Sequence, residues 1–569
     1  MQKKIVTLAL FAILLLSIAG ALTVTTRAAT EEEIEQAIIK GVAWLATKQN
    51  PDGSWGTDNQ PAKTGFAVLK FETHAIRQGI DPLDPGYEYY GQVKGGLDYL
   101  FLTASAISIG MQPAGDPDTD GDGIGVDWYD STYHTGISMM AIAASTHPEM
   151  RVDVVGSAVN GWTYKAVVQD TVDYLAWGQT DIGGSYRGGW YYDSMDNAWW
   201  GADDSNSGYA VLGLAYAEAG TIDGKTGFGC TVPEFVRSEL NFWIDYIQND
   251  VGVGDPTYDG GSGYTDPDYW VNTLKTGNLL FEMAFYGDDT TVHRVIDAVD
   301  YIDRHWNDPD YVGWKGPGPG GDPTWPACYQ TMYCIMKGFE ILNVKYISPL
   351  NDPSGIDWYE DFANALLAQQ NIAGSWPNAP FFGAPDGQPY SPPGGWAWDT
   401  DQIISTEWAL LTLQKTAPHL QITVYVDIKP GSWPNPINIG SKGVFSVAIC
   451  GTADFDVTAI DPATIKITLE GLEVNVSPIR WSYEDVATPY TGEPGGGHAL
   501  GGDGYLDLVF HFDTQEVAST LGLSAYVGQT IPLIITGNLY EELGGTPLRG
   551  QDYVRVQQPV KRGGKGYPI

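Results

Sequence analysis

Aromatic and acidic side chains are concentrated in a few loops of this 569-residue chain. Aromatic rings stack on apolar or sugar rings and attract cations, while carboxylates accept hydrogen bonds or bind cations. A tryptophan in a repeated loop also has a structural interpretation, in which its side chain packs between neighbouring helical hairpins. Both interpretations stay open for the candidate ligand-binding residues, which are Trp190, Tyr191, Trp199, Trp200, Asp203, Asp204, Trp396 and Trp398.

A second group of carboxylates alternates with other residues in one loop. Hard cations need several oxygen ligands from a segment that curls around them, and alternating aspartates with glycines supply both. The spacing fits the calcium loop of EF-hands imperfectly. Whether Asp118 or Asp116 is aligned with the first ligand position, no glutamate stands at the last one. The loop therefore predicts a structural Ca²⁺ site, with a solvated acidic loop as the alternative. The candidate ligands are Asp116, Asp118, Asp120, Asp122 and Asp127.

The elements that must position these residues repeat along residues 29–418. Roughly six units each contain an amphipathic helix, a loop rich in Gly, Trp and Asp, and a second helix rich in Gly, Ala and Ser. Helices that converge on an axis need small residues, so we expect the second helices to form an inner ring. An α/α toroid of about six hairpins follows, since an open solenoid would leave its terminal apolar faces uncovered.

One loop pattern occurs near both ends of this region, at residues 49–55 and 370–376. Each copy has glutamine, three further residues, and then Gly-Ser-Trp. The pattern resembles the QW motif of the terpenoid cyclase and protein prenyltransferase superfamily, which includes the squalene cyclases. The resemblance implies an α/α toroid, in which Trp55 and Trp376 are structural.

The same resemblance offers a catalytic candidate. Class II terpenoid cyclases protonate an alkene with the central Asp of a DxDD motif, and the likeness puts Asp399 on its first Asp and Asp401 on the proton donor. The last Asp is replaced by Gln402, which weakens an arrangement that relies on neighbouring carboxyls. The alternative is a capping box in which Asp399 and Gln402 begin a helix.

After Pro418 the apolar period changes from 3.6 to 2, with short strand-like segments between Gly, Pro and Asn turns. Residues 419–558 are therefore predicted to form a β-sandwich. They resemble a domain that recurs at the C-termini of secreted bacterial and archaeal proteins, which suggests attachment to a surface or partner. Residues 559–569 are basic and Gly-rich and are predicted to be a disordered tail.

The N-terminal segment has the pattern of an export signal. Lys3 and Lys4 precede an apolar run over residues 5–16, and small residues follow at 19–21. Residues 1–28 are therefore predicted to be a signal peptide, with an uncleaved anchor as the alternative. We expect an extracellular or cell-surface protein with no transmembrane span after cleavage.

Composition limits the partners and cofactors. The net charge of −40 argues against nucleic acid and favours cations. The histidines lack zinc-site spacing and no nucleotide-binding motif is present, so neither zinc nor a nucleotide is expected. The four cysteines are expected to be mostly buried thiols, because a helix would separate Cys328 from Cys334 too far for a disulfide.

Two functional hypotheses follow. The first is a secreted toroid that binds a glycan or an apolar small molecule at an aromatic, acidic cavity mouth, with the β-domain for attachment. The second is a squalene-type class II cyclase that uses Asp401 as its general acid. Whether the chain is an enzyme, which ligand it takes and its oligomeric state stay open.

Overall fold

The computed structural model describes residues 28–181, 184–194, 201–222, 225–249, 254–308, 313–315, 326–378, 401–418, 422–452, 455–469, 474–490, 496–540 and 547–558. Within these ranges a helical region is followed by two β-sheets. The helical region and the sheets have separate buried apolar clusters.

In the described part of the helical region, outer and inner helices alternate along the chain. The outer helices are α1 (Glu31–Ala46), α3 (Tyr90–Thr103), α5 (Tyr164–Gly178), α7 (Glu234–Ile247), α9 (His293–Arg304) and α11 (Trp358–Gln369). The inner helices are α2 (Gln60–Arg77), α4 (Thr132–Ala144), α6 (Asp204–Glu218), α8 (Thr273–Tyr286), α10 (Tyr329–Ile341) and α12 (Gln402–Leu413). Burial distinguishes the two layers, since every residue of α2 from Pro61 to Ile76 is buried whereas α1 buries one face.

The inner helices form a closed ring. Each packs against the next along the chain, and the last, α12, packs back against α2. The Gln414 side-chain amide closes this last contact by donating to the Thr73 carbonyl oxygen at 3.1 Å. The prediction of a helical toroid built from six hairpins is thus confirmed by the chain's own packing.

Glycines let neighbouring inner helices approach closely. A Cβ added to Gly136 in α4 would lie 2.2 Å from the Tyr209 carbonyl oxygen in α6, and one added to Gly277 in α8 would lie 2.6 Å from the Ile335 amide nitrogen in α10. These contacts join nearly equivalent positions, so the inner helices run parallel and begin at one end of the ring. That end is called the N-terminal rim; its N-cap residues are Asn59, Ser131, Asp203, Asn272, Cys328 and Asp401.

Glutamine side chains staple adjacent hairpins together. Gln49 donates one amide hydrogen bond to Gly53 in its own loop and a second to Gln92 in α3, both at 3.0 Å. Three other glutamines likewise bond a loop glycine and a carbonyl of the next outer helix around the ring; they are Gln179, Gln248 and Gln370. The glycine beside each staple has positive φ and touches the neighbouring outer helix; these glycines are Gly53, Gly188, Gly260 and Gly374.

Tryptophans attach the loop of a hairpin to its own outer helix through an indole hydrogen bond. The indole N–H of Trp55 donates to the Leu45 carbonyl oxygen at 3.0 Å, and that of Trp376 donates to Leu366 at 2.8 Å. Both side chains are fully buried. The predicted structural role of these two tryptophans is what the geometry shows.

Short antiparallel strand pairs lie in loops between consecutive helices of the ring. They are β1 (Ser105–Ser108) with β2 (Ile124–Asp127), β3 (Thr221–Ile222) with β4 (Lys225–Thr226), and β5 (Tyr346–Ile347) with β6 (Ile356–Asp357). The first pair matters for the site, because the acidic loop connects β1 to β2, and β2 leads into α4.

The C-terminal region folds into two sheets. One has the order β12 (Arg480–Glu484), β13 (Asp507–Asp513), β10 (Val444–Ile449), β8 (Val426–Ile428). The other has the order β11 (Ile460–Thr468), β14 (Thr530–Leu539), β15 (Pro547–Gln557), β7 (Ile422–Thr423), with β9 (Pro436–Asn438) also paired to β15. A short helix, α13 (Thr514–Thr520), follows β13. Both sheets contribute to one buried apolar cluster, and together they are called the two-sheet domain.

All four cysteines are buried free thiols, as predicted. Burial raises the pKa of Cys334 to about 11, which keeps this thiol protonated and unreactive near neutral pH. Among the helices that the structure describes, none has the length and apolar content needed to cross a bilayer.

Candidate functional site

The interior of the ring is filled just below the N-terminal rim. Phe66 from α2 contacts Tyr209 from α6 and Tyr333 from α10, with ring centroids 6.1 and 5.7 Å apart. These side chains come from alternate inner helices, so they meet across the ring axis. The Lys337 ammonium lies 5.3 Å from the Tyr209 ring centroid and adds a cation–π contact. These side chains fill the ring axis at this level, so the space open to the N-terminal rim ends above them.

One side of the rim carries a continuous row of aromatic rings, called the rim arc and formed by Tyr133, Tyr192, Tyr264 and Trp270. The Tyr133 and Tyr192 rings are perpendicular with centroids 6.3 Å apart. The hydroxyls of Tyr192 and Tyr264 are hydrogen-bonded at 2.6 Å, and the Tyr264 ring lies 5.3 Å from that of Trp270. The arc spans the rim from the start of α4 to the start of α8.

Backbone hydrogen bonds hold the arc on the inner helices. The amide N–H of Thr132, the first residue of α4, donates to the Tyr192 carbonyl oxygen at 2.9 Å. The amide N–H of Asp204, the first residue of α6, donates to the Tyr264 carbonyl oxygen at 2.9 Å. Each aromatic loop is thus attached to a free donor at a helix N-terminus.

A buried charged layer supports the arc from below. Asp203 caps α6 by accepting from the Asn206 amide at 3.0 Å. Asp204 accepts from Ser262 Oγ at 3.0 Å and from Asn278 Nδ2 at 3.1 Å. Burial raises the pKa of Asp204, partly offset by the nearby Lys275 ammonium, and burial likewise lowers the pKa of Lys275.

The prediction that these two aspartates line the mouth is corrected by their burial. Asp203 and Asp204 are both fully buried. The Asp203 carboxylate accepts from the first turn of α6, and the Asp204 carboxylate accepts from Ser262 and Asn278 of the next hairpin. Lys275 connects this layer to the surface, with its ammonium 4.1 Å from the Trp270 ring centroid. The aspartates therefore position the rim arc from beneath.

The opposite end of the arc meets the junction where the ring closes. Tyr133 Oη donates to Asn59 Oδ1 at 3.1 Å, and the neighbouring Asp58 binds Lys63 Nζ at 2.5 Å. Lys63 also binds Asp401 at 3.0 Å across the α2–α12 junction. Burial opposes the charge on Lys63, yet the two carboxylates raise its pKa above the ordinary value. Both aspartates are partly exposed, so the rim presents carboxylates here.

Asp401 accepts hydrogen bonds from both sides of the ring closure. Besides the Lys63 ammonium, its carboxylate accepts from the amides of Ile403 and Ile404 at 2.9 and 3.0 Å. These contacts are those of a helix cap and an ion pair at the ring closure. The predicted capping box required Asp399 at the N-cap of α12. The N-cap residue is instead Asp401. Asp399 lies outside the described residues.

The other predicted aromatic residues have different outcomes. Trp190 is fully buried and its indole donates to the Leu175 carbonyl oxygen at 2.8 Å, which is the same role that Trp55 has. Its assignment to ligand binding is therefore corrected to a structural one. Tyr191 is half-buried behind Tyr192, with the ring centroids 5.4 Å apart. The remaining candidates, Trp199, Trp200, Trp396 and Trp398, lie outside the described residues.

A second site lies on the outer surface of the ring, where the acidic loop meets α5. Ligand oxygens of Asp118, Asp120 and Asp122 lie within 4.8 Å of one another. Those of Asp120, Asp170 and Asp173 are equally close, and the last two come from α5. These five aspartates are called the acidic cluster.

The two other predicted metal ligands do not join this cluster within the described residues. Asp116 is exposed and accepts from the Asp118 amide at 3.2 Å. Asp127 is buried at the end of β2, where its carboxylate accepts from the Asp130 amide at 2.6 Å. Burial raises the pKa of Asp127 to about 6. Asp127 therefore belongs to the turn before α4 and not to the acidic cluster.

Sequence reasoning missed residues in both sites. Tyr133 was recognisable as a first-turn residue of a predicted inner helix. Asp170 and Asp173 are three residues apart on an outer helix, a spacing that puts two carboxylates on one face. Nothing in the sequence around these two residues indicates that they contact a loop more than 50 positions earlier.

Comparisons with known proteins add little to this geometry. No protein-family model matches the chain, and no curated protein matches it. The solved cellobiose 2-epimerase of Spirochaeta thermophila DSM 6192 aligns with 68% of this chain and 97% of its own, at 12% identity and a TM-score of 0.39. The endoglucanase CelQ of Clostridium thermocellum, complexed with cellobiose and cellotriose, aligns with 85% of this chain and 89% of its own, at 12% identity and a TM-score of 0.30. TM-scores this low do not establish a shared fold, so the toroid rests on this chain's own contacts.

Proposed function

We propose that the N-terminal rim of the toroid binds a carbohydrate. The observation that carries the proposal is the rim arc, in which four aromatic residues from three successive hairpins touch one another in a row. A row of rings is longer than a single small ligand needs, and it suits a chain of sugar units.

The exposure of the arc supports contact with a ligand. Tyr192 is 42% exposed although its hydroxyl is fixed by Tyr264 and its backbone by Thr132. A rigid aromatic face presented to solvent loses little conformational entropy on binding. Stacking on the apolar face of a pyranose would then exclude water from both surfaces.

Polar groups at the ends of the arc supply hydrogen-bonding partners for hydroxyls. Asp58 and Asp401 share the Lys63 ammonium at one end, and Lys275 lies beside Trp270 at the other. Sugar hydroxyls need acceptors besides a stacking surface, and the partly exposed carboxylates of Asp58 and Asp401 provide them. An apolar ligand would leave these charges desolvated at a cost.

The proposal is tested with a panel of soluble gluco- and manno-oligosaccharides by glycan array and isothermal titration calorimetry. We expect at least one oligosaccharide to bind, with Tyr192→Ala and Trp270→Ala each lowering the affinity by about tenfold, corresponding to about 1.4 kcal/mol. Tyr192→Phe should keep most of the affinity, because it keeps the ring.

Tyr425→Ala is the matched control, since Tyr425 is 45% exposed but lies in the two-sheet domain. It should leave the affinity unchanged. The proposal fails if no oligosaccharide binds, or if binding survives both rim substitutions and is lost with the control.

The remaining parts of the functional hypothesis are proposed alongside. We infer that the two sheets are the layers of a β-sandwich that attaches the toroid to a surface or partner. The signal-like sequence of residues 1–28 supports export, which would bring the rim into contact with extracellular glycans. Detection of the intact protein in culture medium, with residues 1–28 removed, would test that part.

A further inference from the structure

Asp170 is a buried carboxylate with a missing partner. It lies on the outer helix α5, is 2% exposed, and its Oδ1 has no hydrogen-bond partner within the described residues. Leaving a charged oxygen buried and unsatisfied costs several kcal/mol or forces protonation. After burial, the strongest charge effects on Asp170 come from the like-charged carboxylates of Asp122, Asp120 and Asp173.

The acidic loop is fastened to α5 so that one of its carboxylates, Asp120, lies beside Asp170. Thr119 is held on α5 by Asp173, which accepts from the Thr119 hydroxyl at 2.8 Å and from its amide at 3.1 Å. Gln169 Nε2 also donates to the Thr119 hydroxyl at 2.7 Å. Anchoring Thr119 places Asp120 within 4.8 Å of both Asp170 and Asp173.

The loop curls around its own acidic side chains as well. The two oxygens of Asp118 accept from the amides of Gly121 and Gly123, each at 2.8 Å. Asp122 accepts from the Ile124 amide at 2.8 Å. These bonds fix two of the three loop carboxylates, whose ligand oxygens lie within 4.8 Å of one another with that of Asp120, and a carboxylate keeps further lone pairs for a cation.

We propose that Asp118, Asp120, Asp122, Asp170 and Asp173 form a Ca²⁺ site that fixes the β1–β2 loop on outer helix α5. Calcium accepts six to eight oxygen ligands at about 2.3–2.6 Å, so opposite ligands lie up to about 5 Å apart. Within each of the two triads, Asp118–Asp120–Asp122 and Asp120–Asp170–Asp173, the ligand oxygens lie within 4.8 Å, which matches that span, and Asp120 belongs to both. The ion supplies the positive charge that Asp170 lacks.

The identity of the cation follows from the ligands. All five are carboxylates, which suit hard cations and not zinc or copper. The ligands come from a curled loop and a helix, a mixed arrangement that Ca²⁺ tolerates better than Mg²⁺, which demands octahedral geometry and keeps its waters. The effect is structural, because β2 leads directly to α4 and therefore to the rim.

The experiment uses the full chain, stripped of metal with a chelator and titrated with CaCl₂ by calorimetry and thermal unfolding. We expect Ca²⁺ to bind and to raise the melting temperature of the toroid by roughly 2–4 °C. Mg²⁺ at the same concentration should give a smaller shift. Asp170→Asn and Asp120→Asn should each lower the Ca²⁺ affinity by about tenfold or more.

Two controls separate a metal ligand from a structural residue. Asp116→Asn changes a carboxylate of the same loop outside the cluster and should leave Ca²⁺ affinity unchanged. Without Ca²⁺, Asp170→Asn should unfold at the same temperature as the wild type or higher, because it removes a buried charge. The proposal is overturned if no Ca²⁺ binds, if Mg²⁺ stabilises equally, or if Asp170→Asn keeps the full calcium response.

Discussion

Gln370 and Ala37 are separated by 333 residues, yet the Gln370 side-chain amide donates to the Ala37 carbonyl oxygen at 2.8 Å. The same amide also donates to Gly374 in its own loop at 2.9 Å. This bond joins the last outer helix to the first and repeats the bond that Gln49 makes between the first two hairpins. The ring is thus closed by the device that connects its neighbouring units.

Replacing Gln370 by leucine should destabilise the closure of the ring. Both amide hydrogen bonds are lost and two carbonyl oxygens lose a partner, so we expect a loss of about 1–3 kcal/mol. Thermal unfolding and limited proteolysis of α1 measure the effect. Gln515→Leu, at an exposed position in the two-sheet domain, is the control. Equal stability of Gln370→Leu and the wild type would contradict the stapling role.

Trp190 and Tyr192 should respond oppositely to substitution. Trp190→Phe removes buried volume and the hydrogen bond to Leu175, so it should lower stability by about 1–3 kcal/mol and leave oligosaccharide affinity unchanged. Tyr192→Ala should do the reverse, with stability within about 0.5 kcal/mol of the wild type. The free energy of unfolding and the oligosaccharide affinity are measured for both variants. If Trp190→Phe lowered the affinity without lowering the stability, Trp190 would again be assigned to the ligand site.

Asp401 has two separable contributions to stability. Asparagine keeps the capping oxygen but removes the charge that pairs with Lys63, whereas alanine removes both. Asp401→Ala should therefore cost about 1 kcal/mol more than Asp401→Asn in denaturant unfolding. Identical losses in the two variants would mean that the cap contributes nothing.

The two-sheet domain should become more stable as the pH falls. Burial, with a contribution from neighbouring Asp552, raises the pKa of Asp427 to about 7, and burial raises that of Asp552 to about 6. An unfolded aspartate titrates near 3.9, so the folded state binds protons more tightly. Stability is therefore lost as the pH rises from about 4 through about 7.

Calorimetric unfolding of the full chain between about pH 5 and pH 8 measures this dependence. Asp427→Asn mimics the protonated carboxyl, so it should raise the stability of this domain at pH 8 and flatten its pH profile. Asp503→Asn, at an exposed site of the same domain, should leave the profile unchanged. A wild-type domain whose stability rises from pH 5 to pH 8 would contradict the prediction.

Much of the scaffold was predictable because its determinants are local. Alternation of amphipathic and small-residue helices follows from residues within a few turns, and the Gln-to-Trp pattern at 49–55 already marks a hairpin. Two further staples escaped this reasoning, since Gln179 and Gln248 are 9 and 12 residues from their glycines instead of 4. A variable loop length hides a repeated hydrogen bond from any fixed spacing.

The sequence by itself determined the helical hairpins, the change to strands after residue 418 and the alternating carboxylates of the acidic loop. The tertiary structure decided which of these residues meet. Closure of the ring brought Lys63 into contact with Asp401, which is 338 positions away. The packing of the hairpins left Trp190 buried and Tyr192 exposed. Helix α5 contributed Asp170 and Asp173 to the acidic cluster. Local patterns depend on neighbours within a turn, whereas a site depends on distances that exist only once the ring has closed.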